Sequence, residues 1–271
     1  MVRSLWTAAT GMRAEQTNVD TIANNLANVN TTGYKTEVNQ FKSLLYQTIQ
    51  TKTTSANGDR KPVGAQVGLG VRNSAITSIF TDGALLASES DSAFALSGNG
   101  FFAVRGEDGN TYYTRNGNFN WALNAEGGIM LASSEGLPVL DTSGKPISFS
   151  KDYVASKITV TGDGNFCYPD ASNNPQPLGI TFGIFQFNNP AGLEKQDSGL
   201  FSQTSASGAP MNEATNNTLE KTKVTQGYLE GSNVQVVDEM VNLITAQRAY
   251  ELNSKAITAS DEMLQQANNL R

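Results

Sequence analysis

The sequence predicts an α+β fold in which discontinuous terminal α-helices form one coiled-coil-like domain and a mainly β, hairpin-rich domain is inserted between them. Three observations carry this expectation. All eight prolines and all but four of the 25 glycines fall between residues 46 and 224. Apolar residues recur at heptad spacing at both ends, and in the middle short apolar runs alternate with Asn-Gly and Asp-Gly dipeptides. Gly and Pro cost about 1 and about 3 kcal/mol in a helix interior, so their scarcity leaves both ends free to be helical.

At the N-terminus Leu5, Met12, Val19 and Leu26 recur every seven residues, with Ala8, Ile22 and Val29 three positions further on and Glu15 as the one break. A helix over residues 2–30 would span roughly 43 Å. It runs into an Asn-rich segment: Ala23, Asn24, Asn25, Leu26, Ala27, Asn28, Val29, Asn30, Thr31, Thr32, Gly33, Tyr34 and Lys35. Ile22, Leu26 and Val29 continue the apolar face, while the asparagines compete for backbone hydrogen bonds. Thr31, Thr32 and Gly33 are expected to stop the helix, Gly33 by taking a positive φ.

Residues 36–80 and 205–231 are expected to form a connector. Within it, 50–70 is polar and rich in Gly and Thr, which suits a flexible loop or a contact between subunits. The β domain is expected over 81–204. There FFAVRGEDGNTYYTRNGNF carries Asp108-Gly109 and Asn116-Gly117, dipeptides that type I′ hairpin turns select. Asn57-Gly58, Asp82-Gly83 and Asn99-Gly100 repeat the signal, and an alternating strand is expected from Lys157 to Thr161. The terminal helical domain takes 1–35 and 232–271.

In its C-terminal half Val236, Leu243, Tyr250, Ile257 and Leu264 recur every seven residues, flanked by Ala249, Ala256, Met263 and Leu270. Ser232 with Gln235 fits a capping box, and Asp238 and Glu239 suit the positive end of the helix dipole. A helix over 234–270 would span roughly 55 Å. Both heptad runs meet the criterion for coiled-coil packing, each stripe burying itself on the other helix and on copies in neighbouring subunits. The alternative is two helices packed on the body of a monomer.

Composition excludes several functions. The formal net charge is −6 and no basic run exists, so the electrostatic footprint of nucleic-acid binding is missing. No stretch of about 18 apolar residues is present, so no membrane insertion is expected. The start, MVRSLWTAATGMRAEQ, lacks the apolar core of a cleavable signal peptide. Histidine is absent, which removes Ser-His and Cys-His catalysis and the commonest metal ligand. The single cysteine, Cys167, allows no internal disulfide and is expected as a small half-buried hydrophobe. SGNGFFA at 97–103 loosely fits a dinucleotide-binding glycine pattern, but a strand-like run follows where a phosphate-binding helix would be needed. Asp108 and Asp163 lack the spacing of a calcium loop. No catalytic, cofactor-binding or metal residue is assigned, and no enzyme is expected.

On Ala23–Lys35, SLWTAATGM at 4–12, LLYQTI at 44–49, GLGVR at 68–72, QGYLEGSNVQVVDEMVNLI at 226–244 and AQRAYELNSKAI at 246–257, the chain resembles the axial proteins of the bacterial flagellum, the rod and hook family. The resemblance covers both ends and the near half of the β domain and is weakest over 140–205. It implies a non-enzymatic building block, exported without a cleaved signal peptide, that polymerises helically. The terminal helices would line the central channel, and the rod would span the periplasm and carry torque. Implied partners are further copies of the chain, the proximal rod and hook proteins, the rings around the rod and the flagellar type III export apparatus. An insert at about 46–66 is implied to keep the rod straight and stiff. Leu5, Met12, Val19, Leu26, Val236, Leu243, Tyr250, Ile257 and Leu264 are expected to carry subunit packing. The alternatives are a hook or other rod paralogue and, in a different class, a soluble β-rich binding module.

Overall fold

The computed structural model describes residues 2–50, 64–124, 127–170, 172, 174–216 and 218–269. The chain divides into two compact units, one of Met1–Ala27, Glu37–Thr77 and Gln235–Arg271, the other of Asn28–Thr36 and Ser78–Val234. Segment 36–80, expected in a connector, thus falls mostly in the first unit and 205–231 in the second.

The first unit pairs α1 (Val2–Ala27) with α2 (Val236–Asn269). Their 26 and 34 residues span roughly 39 and 51 Å. Helix α1 stops before the expected Thr31. Asn28 closes a turn beyond it, accepting the Thr31 N–H on its backbone oxygen at 3.1 Å and the Thr31 hydroxyl on Oδ1 at 3.1 Å. The asparagines end the helix, by the same local bonding that makes them poor helix formers. Helix α2 starts at Val236, later than expected, because the Ser232 hydroxyl accepts the Val234 N–H (3.3 Å) instead of capping Gln235. The first intrahelical bond runs from the Glu239 N–H to the Gln235 oxygen, and Asp238 and Glu239 do occupy the first turn. The strand Glu37–Ser43 pairs with Val71–Ser78, and Tyr46–Gln50 pairs antiparallel with Ala65–Gly68. The centre of the expected insert, 51–63 with Asn57-Gly58, lies outside the described residues; these last two strands flank it.

The second unit is the β body. Its largest sheet has six antiparallel strands in the order Glu194–Lys195, Leu200–Ser202, Thr111–Thr114, Phe101–Arg105, Ile184–Gln186 and Met211–Asn212. In the strand Phe101–Arg105, Phe101 and Ala103 enter one hydrophobic cluster with Phe187 and Phe201, and Phe102 and Val104 enter another with Phe94, Phe119 and Phe182. Both faces are covered, so the strand reads as a continuous apolar run instead of an alternating one. A three-stranded sheet of Phe119–Leu123, Ile129–Ser133 and Ser148–Phe149 and another of Thr159–Val160, Asn165–Pro169 and Pro175–Thr181 complete the larger elements.

Of the Asn-Gly and Asp-Gly dipeptides flagged above, Asp108-Gly109 closes a hairpin, between Phe101–Arg105 and Thr111–Thr114. The turn is not type I′, because Gly109 alone is left-handed (φ 80°). Asn116-Gly117, Asn99-Gly100 and Asp82-Gly83 join strands that pair elsewhere. Their glycines serve close packing: a Cβ on Gly117 would stand 1.7 Å from the Phe94 oxygen. The alternating strand expected from Lys157 to Thr161 shortens to Thr159–Val160, since Ala155–Lys157 forms a 3-10 turn. Cys167 is more deeply buried than expected, at 5% exposure in the strand Asn165–Pro169.

Candidate assembly surface

The two helices are locked by a column that is not apolar. The Ser4 and Ser260 hydroxyls share a 3.3 Å hydrogen bond, Gly11 abuts Asn253, and Asn25 Nδ2 donates to Glu239 Oε2 at 3.1 Å. Ser4, Gly11 and Asn25 stand seven and fourteen residues apart on α1, and their partners are equally spaced in reverse order on α2. The pair is therefore antiparallel and in one heptad register. Small and polar side chains at these positions let the backbones approach. Asn25, 1% exposed, anchors the far end: its Nδ2 also donates to the Glu37 oxygen (2.8 Å) and its Oδ1 accepts the Glu37 N–H (2.9 Å).

The residues expected to pack stand beside that column. Leu5, Met12, Val19 and Leu26 are half-buried, as are Leu243, Ile257 and Leu264; Val236 and Tyr250 are exposed. Val19 and Tyr250 line an open groove of about 410 Å³ with Gln16, Gln247 and Glu251. Further round α2, Val237, Met240, Val241, Ile244 and Leu252 are exposed, as are Phe41, Tyr46 and Ile49 on the strands of the same unit and Leu45 between them. So many exposed large apolar side chains within one unit are the composition of an interaction surface. Apolar periodicity in the sequence points to the residues beside the seam and passes over the polar column of the same period that sets the register.

The later half of the Asn-rich segment sits in the second unit. Ala23, Asn24 and Ala27 are exposed on α1, and Asn30 and Thr31 in the turn; Val29 and Tyr34 are half-buried. The Thr32 hydroxyl donates to Asn116 Oδ1 (3.0 Å), and Gly33, at φ 71° as its role requires, donates its N–H to the Glu230 oxygen (2.8 Å). Lys35 ends the segment inside a charge cluster with no exposed surface on Glu230 or Arg115. Its Nζ contacts Glu230 Oε1 at 2.5 Å and the Thr81 oxygen at 2.6 Å. Arg115 Nη1 lies 3.3 Å from Glu230 Oε2 and 3.5 Å from Asp82 Oδ1, with its guanidinium over the Phe101 ring. Glu230 Oε1 also accepts the Gly83 N–H at 3.0 Å. Burial holds the Lys35 pKa below the ordinary lysine value; Glu230 opposes that shift and Arg115 adds to it. Neither Arg115 nor Glu230 stands out in the sequence, because Glu230 meets its two cations, Lys35 and Arg115, only across 195 and 115 positions of sequence. Among the described residues no group of three Asp, Glu, Cys or His could hold a metal ion.

A registered helix pair made from both chain ends, an apolar surface beside its seam and an inserted β body define a structural, self-associating subunit. Three family models match in chain order: "Flagella basal body rod protein" over 5–35, "Flagellar hook protein FlgE/F/G D1 domain" over 95–168 and "Flagellar basal body rod FlgEFG protein C-terminal" over 225–270. The chain is 43% identical to the flagellar basal-body rod protein FlgG of Borreliella burgdorferi, over 100% of this chain and 99% of that one. It is 44% identical to the protein of the same name from Agrobacterium fabrum, over 97% of each chain, and 39% identical to that of Buchnera aphidicola, over 100% of each. The chain belongs to the family of flagellar basal-body rod proteins.

Proposed function

We propose that this chain is the distal rod subunit of the flagellar basal body. Copies polymerise helically into a drive shaft that crosses the periplasm, transmits motor torque to the hook and encloses the export channel. The apolar surface beside the α1/α2 seam supports this reading, because a monomer has no use for it and a polymer buries it in every copy. Full-length similarity to rod proteins favours it over a hook protein or a binding module. Its partners are then the proximal rod and hook proteins, the surrounding rings and the export apparatus that delivers it. Deleting the gene and imaging basal bodies by electron microscopy tests the assignment: assembly should stop after the proximal rod. Complete hooks in the deletion strain would refute it.

A further inference from the structure

We propose that a polar cavity in the first unit, between α1, the strand Glu37–Ser43 and α2, is a socket for the guanidinium of Arg248 from a second copy of this chain. The proposal rests on the polymeric reading above and names one contact within it. The cavity measures about 280 Å³, and three carboxylates, Glu15, Glu37 and Glu239, line it with no Lys or Arg among the lining residues. Asn39 also lines it, is only 7% exposed, and has no hydrogen-bond partner on either Oδ1 or Nδ2. Buried amides are almost always satisfied, so an orphan beside three carboxylates marks a position that something else completes.

The chemistry of the walls selects the occupant. The carboxylates do not converge as metal ligands do, since no group of three that could hold a metal is found among the described residues. Acceptors spread around a roomy cavity suit a branched cation, and a guanidinium presents five donors in a fixed fork. It can donate to Asn39 Oδ1 and to Glu15 and Glu239, whose carboxylates also accept the Asn18 and Asn25 Nδ2 groups at 3.3 and 3.1 Å, leaving Asn39 Nδ2 to a water or carbonyl that enters with it.

Arg248 is the matching group on the first unit. It follows Glu239 by nine residues, two and a half turns at 3.6 residues per turn, so it points away from Glu239 and is not among the residues lining the socket of its own copy. Its partner is Glu251, at 2.8 Å, with the two side chains 72% and 52% exposed. Such a surface pair is weak and readily exchanged. Ile244 and Leu252, one turn to either side, are 56% and 66% exposed, so apolar surface flanks the cation along the helix while Thr245 and Glu251 lie beside it. Arg248 is not among the residues that line the socket, so the contact joins two different surfaces of the chain and is heterologous. Heterologous contacts propagate into rings or open helical filaments and do not close at a dimer.

The test is a charge exchange in the full-length protein, read by sedimentation of self-assembled material and by electron microscopy of basal bodies from complemented deletion strains. Arg248→Glu and Glu15→Lys should each reduce assembly by roughly tenfold or more, while the double variant regains most of it. Both side chains reach solvent, and unchanged circular dichroism of each variant excludes unfolding. In a Cys167→Ser background, Glu15→Cys with Arg248→Cys, treated with a short bifunctional thiol cross-linker that replaces the length of the arginine side chain, should give a ladder of cross-linked oligomers beyond the dimer, and neither single cysteine should do so. A double variant no better than the singles, or no ladder, overturns the socket. If the deletion strain builds complete hooks the rod assignment fails instead, and sedimentation of the charge-exchange variants still decides the socket.

Discussion

Removing the carboxylate of Glu230 should be among the most damaging single changes in the β body, and removing the lysine that faces it should not. In Glu230→Ala, Lys35 and Arg115 remain buried with one partly exposed carboxylate, Asp82, at 3.5 Å from Arg115, and the Gly83 N–H loses its acceptor. Breaking one partner out of a buried ion pair costs about 3 to 5 kcal/mol. For a unit of this size each kcal/mol lowers Tm by about 2 to 4 °C, so a fall of about 10 °C is expected. Lys35→Met removes a charge whose desolvation outweighs its attraction to Glu230 and leaves the Arg115–Glu230 pair intact, so about 1 kcal/mol is expected. The sign with pH follows. The folded pKa of Lys35 is below its unfolded value near 10.5, so its penalty is full below the folded pKa and is relieved as pH rises from there towards 10.5. Lys35→Met should abolish that alkaline gain. The assay is guanidinium unfolding in a Trp6→Phe background, which leaves Trp121 of the β body as the sole tryptophan reporter. Equal losses from Lys35→Met and Glu230→Ala would refute the reasoning.

Gly117→Ala should cost several kcal/mol in melting experiments, because its Cβ would overlap the Phe94 oxygen, whereas Gly109→Asn, left-handed but with nothing within 4 Å, should cost less than about 1 kcal/mol. Leu243→Asp should abolish rod assembly while barely moving the melting of the β body; Thr258→Asp, exposed on the same helix, is the control, and equal assembly of the two would refute a packing role. Burial raises the Tyr113 phenol to about 12, so absorbance titration should find one tyrosine ionising last; the stability its neutral form supplies is present below about pH 10 and lost towards 12. Cys167→Ser should leave motility unchanged, and a motility loss exceeding that of a neighbouring surface substitution would reopen the role of this thiol.

The helices at both ends and the β body between them were legible because heptads and helix breakers are local signals. Helix ends were less so: Asn28 and Ser232 each chose a partner within three residues that the one-dimensional pattern could not distinguish from a helix-terminating alternative. The Asn-Gly and Asp-Gly signals misled for a physical reason. A glycine that relieves a clash with a distant carbonyl, as at Gly117, looks in sequence like one that turns the chain. The interhelical column Ser4, Gly11, Asn25 was invisible to an apolar search, and the cluster joining Lys35, Arg115 and Glu230 exists only once the sheets are in place.

Lys35 meets Glu230 across 195 positions of sequence. During synthesis at about 5 to 20 residues per second, the lysine waits roughly 10 to 40 seconds before its counter-charge exists. Helix α1 waits longer still for the residues it is registered against. Closing such distant ends is also slow in its own right, since long loops must be ordered before any contact rewards them. The nascent N-terminal third therefore has a long interval without its native partners, in which a delivery machine that handles extended chains can take hold of it before the body locks.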